Sequence, residues 1–151
     1  SREYHYFIHF RKDPFCEKYS YRMRHPLDIG KMNEAAAYLL GEHDFRCFEK
    51  TGGNNLTSVC TVTEAVWSTY RPTHIEMMGM DCGEGDYIVF RIKANRFLRN
   101  MVRAIVGSLI EVGRGKRSPE WIAELVAEGT RSDAGSSVPG NALFFSGAAY
   151  K

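Results

Sequence analysis

The hydrophobic positions of residues 96–116 repeat at the spacing of an amphipathic helix that ends in a glycine-rich turn. At about 100° per residue the apolar residues fall on one side, which predicts that this side faces the core. These residues are Leu98, Met101, Val102, Ile105 and Leu109. The opposite side carries Arg96, Arg99, Asn100, Arg103 and Gly107. Because no acidic residue lies at helical spacing from Arg99 or Arg103, this side is expected to meet an anion from outside the helix.

Alternating apolar and polar positions, bounded by turn residues, predict the strands. They are expected at residues 4–10, 18–22, 59–67, 74–81, 87–93 and 142–150. The fourth and fifth are predicted to form a hairpin through the turn at residues 83–86. The glycines and asparagines of residues 52–55 predict a loop.

Capping signals predict two further helices. Asp28 is expected to cap a helix that runs through Leu40 and stops at Gly41. Its inward residues are predicted to be Met32, Ala35, Ala36 and Leu39. The sequence Ser-Pro-Glu at residues 118–120 predicts a helix over residues 121–127.

Strands paired in hairpins with helices between them predict an α+β fold. The expected architecture is a mainly antiparallel sheet with two or three helices packed on one face. A chain of 151 residues, 44% of them hydrophobic, is long enough for one packed core, so residues 1–151 are expected to form a single domain.

Composition narrows the class of protein. No apolar run approaches the roughly 18 residues of a membrane span, and the N-terminus has no signal-peptide pattern, so a cytoplasmic location without a membrane partner is expected. The four cysteines include no C-x-x-C pair, which favours reduced thiols over disulfides. His43 and Cys47 share a helical spacing, but the second pair of ligands that a structural zinc needs is not visible, so no metal site is predicted.

The charge of the chain is strongly uneven. Residues 91–117 hold eight cations and one acid, a local balance of +7, whereas the whole chain has a net charge of only +2. The remainder therefore sums to −5. A concentrated basic stripe on an acidic body is typical of a protein that binds a polyanion on one face, although a solvated basic helix would show the same pattern.

Four segments, in order along the chain, resemble motifs of the TruA type of tRNA pseudouridine synthases. The longest is FLRNMVRAIVG at residues 97–107, followed by EVGRGK at residues 111–116, which resembles the signature helix of that family. The opening REYHY is similar to its R-x-Y-x-Y strand, LLGEHDF at residues 39–45 to the end of one of its helices, and ALFF at residues 142–145 to its GLYL strand. The resemblance spans nearly the whole chain and corresponds to the C-terminal half of such an enzyme.

The resemblance implies an isomerase that converts uridine to pseudouridine in the anticodon arm of tRNA, without a metal or an organic cofactor. The nucleophile of the family is an aspartate in an R-T-D-x-G-V-H-A motif upstream of the R-x-Y-x-Y strand. The chain is therefore expected to lack the nucleophile and to be inactive alone. The implied partners are tRNA, the N-terminal half of the same enzyme and a second subunit in a homodimer.

The resemblance also implies roles for individual residues. Tyr4 matches the active-site tyrosine of the family, and Arg103 matches the arginine that pairs with the catalytic aspartate. Leu143 takes the place of a leucine that walls the uracil pocket, although Ala142 and Phe144 depart from the family's glycine and tyrosine. The cations expected to bind tRNA are Arg96, Arg99, Arg114, Lys116 and Arg117. The loop at residues 51–56 is a further candidate for RNA contact, and Gly107 is expected to allow a backbone or the RNA to approach closely.

Two other interpretations remain open from the sequence. The chain could be a stand-alone RNA-binding module that uses the strand aromatics and the basic stripe. It could also be a hydrolase that uses Asp133 with His43 or His74. Asp133 lies in RSDAG, which looks like the catalytic motif, but Val-His-Ala does not follow the glycine. Asp133 is therefore expected to be an exposed turn residue.

Overall fold

A six-stranded sheet organises the part of the chain that the computed structural model describes, namely residues 1–50, 57–131 and 133–148. The strands are β1 (Arg2–His9), β2 (Tyr21–Arg22), β3 (Gly41–Asp44), β4 (Val59–Thr69), β5 (Tyr87–Ala94) and β6 (Leu143–Ala148). The helices are α1 (Ile29–Ala37), α2 (Thr73–Met78), α3 (Met101–Gly113) and α4 (Glu120–Glu128). The predicted loop at residues 52–55 and the candidate RNA contact at residues 51–56 lie outside the described residues.

Strand β1 occupies the centre of the sheet, whose order is β2-β1-β5-β4-β3. Along one side β1 pairs antiparallel with β5 over its whole length. Along the other side it pairs antiparallel with β6 at Arg2–Tyr6 and parallel with β2 at Ile8–His9. The predicted mainly antiparallel sheet is confirmed, and this arrangement brings Leu143 and Phe145 of β6 beside Tyr6 and Tyr4 of β1.

Helices α1, α3 and α4 pack together on one face of the sheet and enclose the main core, which confirms the predicted α+β architecture. Every residue predicted to face inward from α1 and α3 is buried, from Met32 to Leu109. Asp28 caps α1 as expected, since its Oδ1 accepts a hydrogen bond from Lys31 N at 3.1 Å. Helix α4 begins one residue before its predicted start, and Pro119, not Ser118, occupies its N-cap position, without a side-chain capping bond.

Helix α2 lies on the opposite face of the sheet. Because side chains alternate along a strand, Tyr87 points away from the face that carries its neighbour Ile88. Ile88 belongs to the main core, whereas Tyr87 belongs to a small second core with Ile75 of α2 and Cys16. Among the described residues, none of the helices combines the length and the apolar composition that crossing a membrane requires.

The predicted hairpin of residues 74–81 and 87–93 is wrong. Residues 73–78 form α2, which starts after Pro72 and ends at Gly79 in a left-handed conformation with φ of 62°. A proline before a helix and a glycine after it are typical helix boundaries. Their effect outweighs the weak alternation of apolar and polar residues in this segment. The partner of β5 is β4, which reaches it through the longer connection that contains α2.

The predicted helix over residues 96–116 starts later than the periodicity suggests. Helix α3 begins at Met101, because Asn100 adopts a left-handed conformation with φ of 68°. Arg96 and Arg99 therefore precede the helix, and they do not share a helical face with Arg103. The apolar Leu98 lies at helical spacing from Met101 and Val102, so the helical pattern of apolar residues continues beyond the N-terminal end of α3.

Smaller differences concern the ends of elements. The strand predicted at residues 18–22 is reduced to β2, since residues 14–19 form turns. Helix α1 ends at Ala37, and Gly41 begins strand β3 with φ of 99°, so residues 41–44 are a strand that the sequence did not reveal. The last strand is described only as far as residue 148.

A buried carboxylate ties the small second core to the sheet. Asp13 Oδ2 accepts a hydrogen bond from the Tyr87 hydroxyl at 2.6 Å and lies 2.6 Å from His74 Nε2. Its Oδ1 accepts a hydrogen bond from Phe15 N at 3.0 Å. Although burial alone would raise the pKa of Asp13, the hydrogen bonds from Tyr87 and His74 hold that pKa below its ordinary value.

We expect Asp13→Asn to lower the free energy of unfolding by about 1.5 to 3 kcal/mol near pH 7, because hydrogen bonds to a charged acceptor are lost. A carboxyl group with a lowered pKa contributes stability above its unfolded pKa and loses it as the pH falls through the folded value. The difference between the two proteins should therefore shrink in acid. Urea unfolding at several pH values measures it, and Asp81→Asn, at an exposed position, is the control. A pH-independent difference would contradict this account.

Candidate active site

A cleft of about 430 Å³ lies between β1, the start of α3 and β6. Its lining combines aromatic and apolar side chains with cations, namely Arg2, Tyr4, Lys50, Phe97, Leu98, Arg99, Asn100, Met101, Val102, Arg103 and Leu143. The cleft therefore brings together Tyr4, Arg103 and Leu143, the three residues for which the sequence predicted catalytic roles. They come from three different elements that are far apart in the chain.

Tyr4 is half-buried in the wall of the cleft, where two aromatic neighbours fix its ring. The ring of Phe97 meets it edge-on, with centroids 4.9 Å apart and an interplanar angle of 86°. Phe145, which is its partner on β6, approaches at 5.4 Å and 66°. Edge-to-face contacts of this kind hold an aromatic ring in one orientation. Tyr4 thus presents a fixed aromatic surface to the cleft.

Arg103 is half-buried and is anchored through one nitrogen of its guanidinium group. Its Nε donates a hydrogen bond to the Val138 carbonyl at 2.9 Å, and its Cζ lies so close to Gly140 that a Cβ there would be 3.5 Å away. Among the described residues, no carboxylate forms an ion pair with Arg103. A half-buried guanidinium group without a carboxylate partner is well suited to accept one from another segment or from a ligand.

Residues 135–139, which we call the crossing segment, hold Arg103 and pass over α3 directly above Gly107. A Cβ at Gly107 would lie only 1.8 Å from the Ser136 carbonyl oxygen, so the expected close approach of a backbone to this glycine is observed. Gly135 also packs against the helix, since a Cβ there would be 3.1 Å from the Gly107 carbonyl oxygen. The chain can therefore cross the helix only because Gly107 has no side chain.

Hydrogen bonds fasten this crossing segment on both sides of Gly107. Gly135 N donates to the buried Ser108 hydroxyl at 2.9 Å, and Val138 N donates to the Arg103 carbonyl at 3.2 Å. Farther along, the Tyr6 hydroxyl donates to the Pro139 carbonyl at 2.7 Å. Burial raises the pKa of Tyr6, so its phenol remains a proton donor. The orientation of Arg103 therefore depends on contacts from β1, α3 and the crossing segment together.

Four cations and no acid line the cleft, which makes it a site for an anion. Sequence analysis assigned roles to Arg99 and Arg103 but missed Arg2 and Lys50. Lys50 reaches the cleft because its backbone N–H donates to the Arg99 carbonyl at 3.0 Å. Lys50 and Arg99 are about fifty residues apart in the chain, so no local sequence pattern indicates that Lys50 belongs to the cleft.

The other cations predicted to bind RNA lie in different places. Arg96 donates hydrogen bonds to the carbonyls of Thr57 and Val59 at 2.9 and 3.1 Å, and it thereby holds the start of β4. Arg117 lies over the Trp121 ring, in a shallow groove that also contains Glu124, Glu128 and Asp133. Arg114 and Lys116 line a separate groove beyond the crossing segment. The predicted basic stripe is therefore divided among several surfaces.

Asp133 has the surroundings of a turn residue. It is exposed, and its carboxylate accepts hydrogen bonds from the backbone and the hydroxyl of Thr130 at 2.8 and 3.0 Å, which lower its pKa. His74 contacts Asp13, and His43 lies 2.7 Å from the Leu40 carbonyl oxygen, so neither histidine is placed to act with Asp133. In the described part of the chain, no three histidine, cysteine, aspartate or glutamate side chains are grouped to hold a metal ion.

Comparison with known proteins agrees with the resemblance found in the sequence. Residues 35–151 match the family model described as tRNA pseudouridine synthase. The chain belongs to the tRNA pseudouridine synthase family. The members of this family are isomerases, and the matched residues include Arg103 and Leu143 of the cleft.

Individual relatives within the tRNA pseudouridine synthase family extend the match to the N-terminal strand. The chain is 44% identical over 145 residues to tRNA pseudouridine synthase A of Bacteroides fragilis, which covers 95% of this chain and 52% of the relative. It is 41% identical over 150 residues to tRNA pseudouridine synthase A of Porphyromonas gingivalis, covering 99% of this chain and 55% of the relative. The chain thus spans about half the length of the curated relatives it matches.

We expect Gly107→Ala to lower the free energy of unfolding by about 1 to 3 kcal/mol, because the new methyl group collides with the Ser136 carbonyl. An alanine in the middle of a helix would otherwise be favoured over glycine by about 0.5 to 1 kcal/mol. Urea unfolding measures the change. Gly147→Ala is the matched control, since a Cβ at Gly147 meets no atom within 4 Å. A neutral or stabilising effect at Gly107 would show that the crossing segment does not depend on this glycine.

Proposed function

We propose that this chain is the C-terminal half of a tRNA pseudouridine synthase that isomerises uridine in the anticodon stem-loop of tRNA. In this proposal residues 1–151 form one domain, which supplies Tyr4, Arg103 and Leu143 to the active site. The observation that carries the proposal is the convergence of these three side chains in one cationic cleft, in a chain of this family. The proposed location is cytoplasmic.

The target uridine must leave the base stack before chemistry can take place, which costs a few kcal/mol. The fixed ring of Tyr4 and the apolar side chain of Leu143 offer the flipped base a surface on which to stack, and burial of the base there offsets part of the cost. The cations Arg2, Lys50 and Arg99 surround this surface and are placed to neutralise the phosphates on either side of the flipped nucleotide.

The proposed reaction needs a nucleophile that breaks the glycosidic bond. We propose that an aspartate from a segment upstream of Ser1 enters the cleft and pairs with the terminal nitrogens of Arg103, which keep it ionised. The carboxylate forms a transient covalent bond with the uracil or the ribose, the N1–C1′ bond breaks, the uracil rotates, and a C5–C1′ bond forms. The bond to the aspartate breaks again in the process, so the carboxylate is regenerated. C5 loses a proton and N1 gains one, so uridine and pseudouridine have the same composition and no redox partner is needed.

This arrangement implies that the chain alone has no isomerase activity, since it does not itself supply the proposed nucleophile. The partners are therefore tRNA and the N-terminal half of the same enzyme. We further propose a homodimer for the complete protein, as the resemblance to the TruA type implies.

The test compares this chain alone with the protein expressed together with the sequence that its gene encodes ahead of Ser1. Both are incubated with a tRNA transcript that carries tritium at C5 of uridine, because formation of the C5–C1′ bond releases that tritium to water. We expect release from the longer protein only. Release by the chain alone, or an upstream sequence without the aspartate motif, would overturn the proposal.

Substitutions in the longer protein test the roles of the cleft residues. We expect Arg103→Lys to slow tritium release at least about 100-fold, because a lysine cannot hold a carboxylate through two parallel hydrogen bonds. Tyr4→Ala should also slow it, since the stacking surface is lost. Arg71→Lys, far from the cleft, and Asp133→Ala are the controls and should react like the wild type. Equal rates for Arg103→Lys and Arg71→Lys would remove Arg103 from the proposed site.

The cationic cleft also fits a second candidate function, a stand-alone RNA-binding module. That function predicts that the chain alone binds tRNA as tightly as the longer protein does, with an affinity that falls as salt rises. Tight binding without any isomerisation by the longer protein would favour it over the synthase.

A further inference from the structure

A second groove, larger than the active-site cleft, lies on the other side of the crossing segment. Its volume is about 620 Å³. One wall is formed by the residues that follow β2 and the other by the C-terminal end of α3, with the crossing segment between the groove and the cleft. The lining residues that carry the argument are Arg22, Arg24, His25, Glu111, Arg114 and Lys116. We call this surface the basic groove.

The basic groove has an excess of positive charge that the protein itself does not neutralise. Four arginine and lysine side chains face a single acid, Glu111. That acid is turned toward the crossing segment, since its Oε2 would lie 2.3 Å from a Cβ at Gly135. Among the described residues, no carboxylate forms an ion pair with any of the four cations. Like charges gathered in one groove repel each other, so a bound polyanion would stabilise this arrangement.

Arg22 and Arg24 contribute two of the four positive charges of the basic groove. Arg24 is exposed, whereas Arg22 is half-buried and its Nε is enclosed by the protein, without a hydrogen-bond partner in the described part of the chain. Because a ligand cannot reach this enclosed Nε, the attraction of Arg22 for a phosphate rests on the charge of its guanidinium group. The sequence did not connect the segment that carries the two arginines with RNA.

The basic groove and the active-site cleft are neighbours along α3. Arg103 reaches the cleft, whereas Arg114, which follows the same helix, lines the groove. Eleven residues at 1.5 Å each place the two about 16 Å apart along the helix axis, a distance that a few nucleotides span. Val138 links the two surfaces. Its carbonyl holds Arg103 of the cleft, and Val138 itself lines the groove.

We propose that the basic groove binds the phosphodiester backbone of the tRNA a few nucleotides from the flipped uridine, with Arg22 and Arg24 as phosphate-binding residues. This inference rests on the proposed function, and it deepens that function by adding a second contact surface to the active-site cleft. The groove positions the RNA and takes no part in bond breaking. It reads charge and not base identity, since the cations reach phosphates.

The experiment measures the affinity for a tRNA transcript at several salt concentrations, using the protein that includes its upstream sequence. The test variant is Arg24→Gln/Lys116→Gln, at two exposed positions of the groove. The matched control is Lys12→Gln/Arg71→Gln, which removes the same charge from exposed positions outside both the cleft and the groove. Melting temperatures of all proteins show whether the fold is retained.

We expect the test variant to reduce the slope of log affinity against log salt by about 1.4, since each phosphate contact on single-stranded RNA contributes about 0.7. If the affinities of the wild type and the test variant become equal near 1 M salt, the test variant should bind tRNA roughly 25-fold more weakly than the wild type at 0.1 M salt. The control should keep the wild-type slope.

The outcomes separate this inference from the proposed function. If the wild type forms pseudouridine and the test variant binds tRNA like the control, the groove proposal is overturned and the synthase proposal stands. If the test variant loses its salt-dependent affinity but the wild type forms no pseudouridine, the groove binds RNA and the synthase proposal fails.

Discussion

The passage of the chain over α3 at Gly107 is the constraint on which the candidate site depends. Any side chain at this position would occupy the space of the Ser136 carbonyl. The same passage supplies the Val138 carbonyl that holds Arg103 and the Pro139 carbonyl that accepts the hydrogen bond of Tyr6. It then leads into β6 beside β1, so that Leu143 lies in the cleft with Tyr4. One glycine therefore makes possible both the anchoring of the arginine and the assembly of the pocket.

The charge of this assembly favours an anionic ligand. The cleft gathers four cations without an acid, and the neighbouring groove gathers four against one. Such concentrations of one sign weaken a fold that has no ligand, and they attract a polyanion over long distances. Arg103 differs from the other cations of the cleft, because it is half-buried and fixed through Nε. In the proposed function, this fixed guanidinium group holds a carboxylate by geometry, whereas the exposed cations attract phosphates mainly by charge.

The sequence alone was sufficient to predict the features for which the local pattern of apolar and polar residues agrees with the fold. The alternation in β1 and the apolar side of α3 report burial, and the Asp28 cap marks the start of α1, so these features were predicted correctly although the ends of the helices were not. The hairpin failed because Pro72 and Gly79 form a short helix out of a segment with weak alternation. The start of α3 was misplaced because Leu98 continues the helical spacing, although the left-handed Asn100 interrupts the helix. Tyr4, Arg103 and Leu143 came from the family resemblance. Arg2, Lys50, Arg22 and Arg24 could not be found, because only tertiary contacts bring them to the two surfaces.

A crystal structure of the protein that includes its upstream sequence tests the proposed pairing of Arg103 most directly. We expect an aspartate carboxylate from that sequence in hydrogen-bond contact with the terminal nitrogens of Arg103, while Nε keeps its bond to Val138. Tyr4 and Leu143 should face the same carboxylate across the cleft. A structure in which those nitrogens meet only water or backbone carbonyls, with the aspartate on another surface, would contradict it.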